Sequence, residues 1–493
     1  MKLGTKIFIS LLFFMIFINS NIYSVRADEY QWNQYRLNPN NNAVIKNDIL
    51  NDDLVEKINT NNEVRSTPVV VGENIFIGNH ESGEISAYNL TTGELLWENQ
   101  APNWIHSEII YVNKQLFVGY GNRFMQENGM RGTGQNGLLS LDPETGEILW
   151  DFETEGEVMP TPAFYKDTVY ITTGDKSLYG INPKTGEESW SLNLNSVISM
   201  SSPNIKDGIL YVGGTTPSVF FAVDLDKKKM KWEKSLDKVI SGLDDVPPVV
   251  SEENFVYTSG IVKTSSSVSV RDTYEKDGAL AAYKQGFKKA VGGLINKEPQ
   301  VLFDHILYAI DGDSGEIVWE QSLGEGAMVP NNKSGAPILY KDKLFVGSPI
   351  TESFYGIDAT SGNELWKYES NINKAPPVAD NDIVYFTDTK GLVYGFDTES
   401  GSLIGKKLLG GKLAPSGPIL VNDYLIVGSQ DHNVYITPIE DILQSNDKYK
   451  NISEDKNSFS YIALIYILPL LVLVVMIMFL LFLFKRIRSL KGK

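Results

Sequence analysis

The sequence predicts an all-β fold: an eight-bladed β-propeller of four-stranded blades, followed by one C-terminal transmembrane helix. Three observations predict the propeller. A strand–turn–strand phrase ending in tryptophan recurs along the chain, the recurrence has a period of roughly 40 residues, and a proline-marked apolar strand precedes most copies.

The phrase is clearest at residues 139–150, LSLDPETGEILW. Leu139 and Leu141 alternate with Ser140, the period of a half-buried strand. Asp142 is placed to fold its carboxylate onto backbone N–H groups two residues on, and Gly146 supplies the positive φ that closes such a turn. Ile148 and Trp150 open the next strand, where the indole brings a large apolar surface. The phrase returns as AYNLTTGELLW at 87–97, GINPKTGEESW at 180–190, AIDGDSGEIVW at 309–319 and GIDATSGNELW at 356–366. Two copies are degenerate. AVDLDKKKMKW at 222–232 has Lys228 where the glycine belongs, and GFDTESGSLIG at 395–405 lacks the tryptophan.

The A-x-D-x-x-T-G-x-x-x-W phrase resembles the repeat of the PQQ-binding-like β-propeller family, over roughly Trp32 to Ile439. That family includes quinoprotein dehydrogenases and also cofactor-free scaffolds, such as the propeller lipoprotein of the outer-membrane barrel assembly machine. The resemblance therefore implies a fold, and it leaves open a choice of functions.

In chain order, Trp32, Tyr35, Arg36 and the Asn-rich 38–42 resemble the lead-in of this family, and residues 54–59 read as a lone strand. Eight three-strand units follow, with first strands marked by Pro68, the unmarked 107–112, Pro162, Pro203, Pro248, Pro337, Pro377 and Pro418. The eighth unit has no outer strand of its own, and the lone N-terminal strand is expected to fill the gap and leave no free edge. Insertions at 120–136 and 260–305 fall between the second and third strands of units two and five, so both decorate one face. Within the second, Leu280, Tyr283, Phe287, Val291 and Leu294 repeat at helical spacing over 277–295.

Residues 1–27 have the basic start, short apolar run (7–18) and small-residue end of a secretory signal. Residues 461–484 carry no charge and span about 36 Å as a helix. The basic tail at 485–493 predicts a cytoplasmic C-terminus. The expectation is a single-pass protein of the cell membrane, with its propeller (28–439) outside the cell on a polar linker (440–460).

Net charge is −17, and about −25 once the eight basic residues of the two ends are set aside. This disfavours nucleic acid as a partner. Absence of cysteine excludes disulfides, thiolate metal sites and covalent c-type haem.

Candidate site residues gather on the decorated face. Asp244 and Asp245 form the best acidic pair there, expected as an exposed loop. Arg65, Trp104, Arg123, Arg131 and Arg271 offer basic and aromatic groups to an anionic, carbohydrate or protein ligand. His80, His106 and His432 also fall in loops of this face, and their spacing gives no zinc signature. DGDSG at 311–315 lacks the glycine position and terminal glutamate of a calcium loop and reads as a turn. No catalytic residue of the quinoproteins carries over. The sequence thus favours a non-enzymatic scaffold for a protein or glycan partner, with no cofactor. The alternatives are a membrane-bound oxidoreductase using PQQ with calcium, or an accessory subunit of a membrane complex.

Overall fold

A computed structural model describes residues 35–37, 44–45, 54–264, 284, 301–330 and 334–444. The signal, Trp32, 38–42, Arg271, the helix expected at 277–295 (Lys284 apart), the membrane span and the basic tail lie outside the described residues. No helix among the described residues is long and apolar enough to cross a membrane.

The strands form eight antiparallel sheets, one per blade. Blade one, for example, runs outward from the axis through Val69–Val71, Asn74–Gly78, Glu84–Asn89 and Leu95–Gln100. The inner strands are buried and the outer ones alternate toward solvent, as at Ile148–Thr154. Blade eight is completed by Lys57–Asn59, paired antiparallel to Asn433–Pro438. This N-terminal strand thereby closes the ring, as the missing outer strand predicts.

The repeated phrase explains how blades hold each other. Asp142 Oδ1 accepts the N–H groups of Glu144 and Thr145, both at 2.9 Å, and Gly146 takes φ 72°. That turn lies on the tryptophan of the preceding blade. The Trp97 indole N–H donates to Pro143 O at 2.9 Å, and a Cβ on Gly146 would come within 2.4 Å of the indole. Gly186 covers Trp150, Gly315 covers Trp232, Gly362 covers Trp319 and Gly401 covers Trp366 in the same way. DGDSG is one of these turns, with Asp311 Oδ1 accepting Asp313 N–H and Ser314 N–H.

The degenerate copies are the exceptions to this docking. Trp190 faces the turn that has Lys228 in place of glycine, and its indole N–H finds no acceptor there. Blade seven lacks its tryptophan because another element takes the slot. The helix Ile439–Leu443 lies on it, and a Cβ at Gly405 would meet Ile442 O at 2.1 Å. Lys407 Nζ fixes this helix through Asp441 at 2.7 Å. The boundary expected at 439 is corrected accordingly: the first residues of the segment read as linker are part of the propeller.

Two further points differ from the sequence expectation. The hairpin of blade five is longer, Phe255–Lys263 with Leu302–Asp311, so Gly260 and His305 are paired strand residues and the insertion is 264–301. The strand-forming runs on each side simply continue past the blade. Second, Val44–Ile45 forms an extra strand parallel to Val69–Val71 on its channel side. The lead-in therefore runs inside the ring. Arg36, fully buried, donates to Pro376 O and Pro418 O, and Tyr35 OH donates to Glu108 Oε1 at 2.9 Å.

Candidate functional site

The connections between blades and the second-to-third-strand loops meet on one face around the channel neck. Sequence spacing scatters these residues; the ring brings them together. His80, from a loop of blade one, and His106, from the connection to blade two, touch through their Nε2 atoms. Their rings cross nearly edge-on with centroids 3.7 Å apart. Trp104 packs 5.1 Å from His80, and Phe124 packs on Trp104 at 5.4 Å. Burial, with Arg65 and Arg123 nearby, pushes His80 down to about 3, and burial holds His106 well below the ordinary imidazole range. Both rings are thus neutral at physiological pH.

The insertion of blade two is a rigid hairpin. Asn122 Oδ1 accepts from Phe124 N–H at 3.1 Å and Thr133 N–H at 3.0 Å, and Asn122 Nδ2 donates to Thr133 O at 2.7 Å. The base is closed by a cycle of backbone bonds across two blades: Arg131 N–H to Gly174 O (3.0 Å), Gly174 N–H to Glu157 O (2.9 Å) and Glu157 N–H to Arg131 O (2.8 Å). The Arg131 guanidinium pairs with Glu157 at 3.1 Å and reaches Asp244 at 4.0 Å. Burial raises the Glu157 carboxyl well above its usual range, with Arg131 opposing. On its first arm, Phe124 and Met125 stand 53% and 58% exposed, next in sequence to Arg123.

Of the predicted residues, Trp104, His106, Arg123 and Arg131 join this assembly, and Arg65 lines the channel beside it. Asp244 corrects the expectation of an exposed loop. It is buried, its carboxylate faces Arg131, and its carbonyl accepts Met200 N–H and Ser201 N–H. The cause is a 3₁₀ turn, Leu243–Asp245, that carries Asp244 inward. Asp245 lines the channel. His432 is exposed, and its carbonyl instead receives Thr60 N–H at the seam. His305 is buried between Ser259 and Ser348 hydroxyls at 3.0 and 2.9 Å, a strut between blades five and six. Sequence reasoning missed Lys374, Glu157 and the exposed pair Phe124–Met125. The adjacent Phe-Met in a Gly- and Asn-rich insertion was the available signal for that pair.

The neck encloses a cavity of about 40 Å³, lined by Tyr35, Arg65, Glu108, Asp245 and Lys374 among others. Among the described residues, no group of three or more His, Asp or Glu side chains is placed to hold a metal ion. Small-molecule sites usually need about 300 Å³ or more, so the neck itself, with Tyr35 of the lead-in in its lining, is too small for the ring system of pyrroloquinoline quinone, which the fold family brings into question.

Fold and neck together define a class: an eight-bladed PQQ-like propeller with blade-to-blade tryptophan docking and an occluded channel. The chain belongs to the family described as outer membrane protein assembly factor BamB, whose model matches residues 121–276 and 276–441. It is 22% identical over 364 residues to a tetrathionate hydrolase of Acidithiobacillus ferrooxidans, covering 69% of this chain and 66% of that relative's length. It is 22% identical over 382 residues to an outer membrane protein assembly factor BamB of Shewanella oneidensis, covering 74% and 82%. A solved europium-containing methanol dehydrogenase shares the fold with TM-score 0.54 and 13% identity, covering 83% of this chain and 92% of that one.

Proposed function

We propose that this chain is a non-enzymatic scaffold at the cell membrane that presents its looped face to a protein partner. The observation that carries the reading is the blade-two hairpin. An exposed Phe124–Met125 pair beside Arg123 is backed by the Trp104–His80–His106 stack and held rigid by Asn122 and the three-way backbone cycle. Aromatic, Met and Arg side chains are enriched at binding hot spots, and a preorganised loop loses little entropy on binding. The BamB relatives, named as assembly factors, support a protein rather than a glycan as partner. Export by residues 1–27 and anchorage by 461–484, with a cytoplasmic tail, complete the proposal.

The tetrathionate hydrolase relative favours a second reading, in which the neck serves an enzyme acting on a small anion. The two readings separate by capture of the full chain from native membranes. The scaffold reading expects a protein to co-purify with the wild type and to be lost from the Phe124→Ser/Met125→Ser variant. A partner retained by that variant overturns it, and turnover of tetrathionate by the pure chain establishes the second.

A further inference from the structure

The neck of the channel brings two basic side chains into a small cavity that Glu108 and Asp245 also line. Arg65 enters it from the segment before blade one and Lys374 from the segment before blade seven, and both line the same small cavity. Arg65 Nε is buried and has no hydrogen-bond partner among the described residues. An orphaned buried donor costs stability unless something pairs with it, and a missing ion is one such explanation. Three of the nearby carboxylates have other partners. Glu108 accepts the Tyr35 hydroxyl, and Glu157 and Asp244 face Arg131. Asp245 faces Lys374, yet Lys374 is still drawn down to about 8 by burial, with Lys412 and Arg65 adding to the fall. Burial likewise lowers Arg65, with Glu63 and Glu81 opposing and Arg123 adding to the fall. The neighbouring imidazoles, His80 and His106, are neutral and add no positive charge.

We propose that Arg65 and Lys374 hold a small oxyanion or carboxylate in the channel neck. Size limits the ligand: about 40 Å³ accommodates roughly three water positions, enough for one sulfate-sized group and not for a ring system. Guanidinium offers a planar fork to such oxygens, and lysine adds a point charge. The low-dielectric walls of the neck focus that charge toward the looped face. The anion has two possible sources, a free inorganic oxyanion or the side chain of an acidic peptide entering from the looped face. This inference shares that face with the scaffold reading, but its test needs no partner, so either can fail alone.

The test is calorimetric titration of the full chain, in non-ionic detergent at low ionic strength, with sodium sulfate and with acetyl-aspartate amide as separate arms. One saturable site is expected in at least one arm, and the tighter arm names the source. Arg65→Gln and Lys374→Gln are each expected to weaken it about tenfold or more, as loss of a charge-assisted pair requires. Arg65→Lys should weaken it less. Should Arg65→Gln fail to fold, Lys374→Gln and a sulfate-induced rise in the wild-type melting temperature carry the test. No saturable heat from folded wild-type protein in either arm, or binding unchanged in Lys374→Gln, overturns the proposal.

Discussion

On the turn face of the ring, Gly146 closes over Trp97 and Trp97 donates to the carbonyl beside it. On the looped face, Arg131 reaches Glu157 and Asp244, side chains that belong to other blades and share no motif with it. The first face repeats one local device; the second is assembled once. Stability between blades is written into a phrase that recurs, so its failures at Lys228 and Gly405 are visible as departures from a pattern. The candidate binding residues sit where the pattern stops.

The comparison can be broken most strongly at the tryptophans. Trp97→Ala is expected to cost about 3–5 kcal/mol, since it empties a buried slot and orphans Pro143 O, read as a lowered urea midpoint. Phe124→Ser, on the other face, should stay within about 0.5 kcal/mol of wild type. A comparable loss from both would erase the distinction.

Acid provides the next test. Burial pushes His305 down to about 3, so the folded state keeps it neutral while the unfolded chain binds a proton below about 6.5. Its contribution is therefore complete above that pH and is lost as pH falls toward 3, by about 3 kcal/mol after allowance for relaxation. His80 and His106 act in the same direction. Stability measured from pH 7 to 4 should fall, and His305→Gln should be less stable at pH 7 but fall less steeply. An equal slope would contradict the assignment.

Gly146→Ala sharpens the turn-face side. The added Cβ meets the Trp97 ring, and alanine must adopt φ near +72°, at a cost of about 2 kcal/mol. Lys228→Gly runs the other way. Lys228 already takes φ 52° in the degenerate turn, and relief of that strain should raise stability by about 1 kcal/mol, detectable as a higher melting temperature.

The same division governs what was legible in the sequence. Blade number, turn chemistry and the seam strand follow from local spacing, because each depends on residues within one repeat or on a missing one. The role of Gly405 was not legible, since the helix that fills its slot is the short run 439–443, too brief for a helical period to declare itself. Nor was the burial of Asp244. Its partner Arg131 lies in a different blade, and no periodicity links the two. Topology puts three of the histidines in loops of one face, yet which of them meet depends on blade-to-blade geometry: His80 and His106 touch, and His432 belongs to the seam.

The central claim is that the looped face, through the blade-two hairpin, is where a protein partner binds. Its most direct test is site-specific photo-crosslinking in native membranes, with the photoreactive residue placed at Phe124 on the looped face or at Thr145 on the turn face. A discrete protein crosslink from position 124, absent from position 145, is the predicted result. A crosslink from position 145 alone, or none from 124 in protein shown to be folded, would contradict the account.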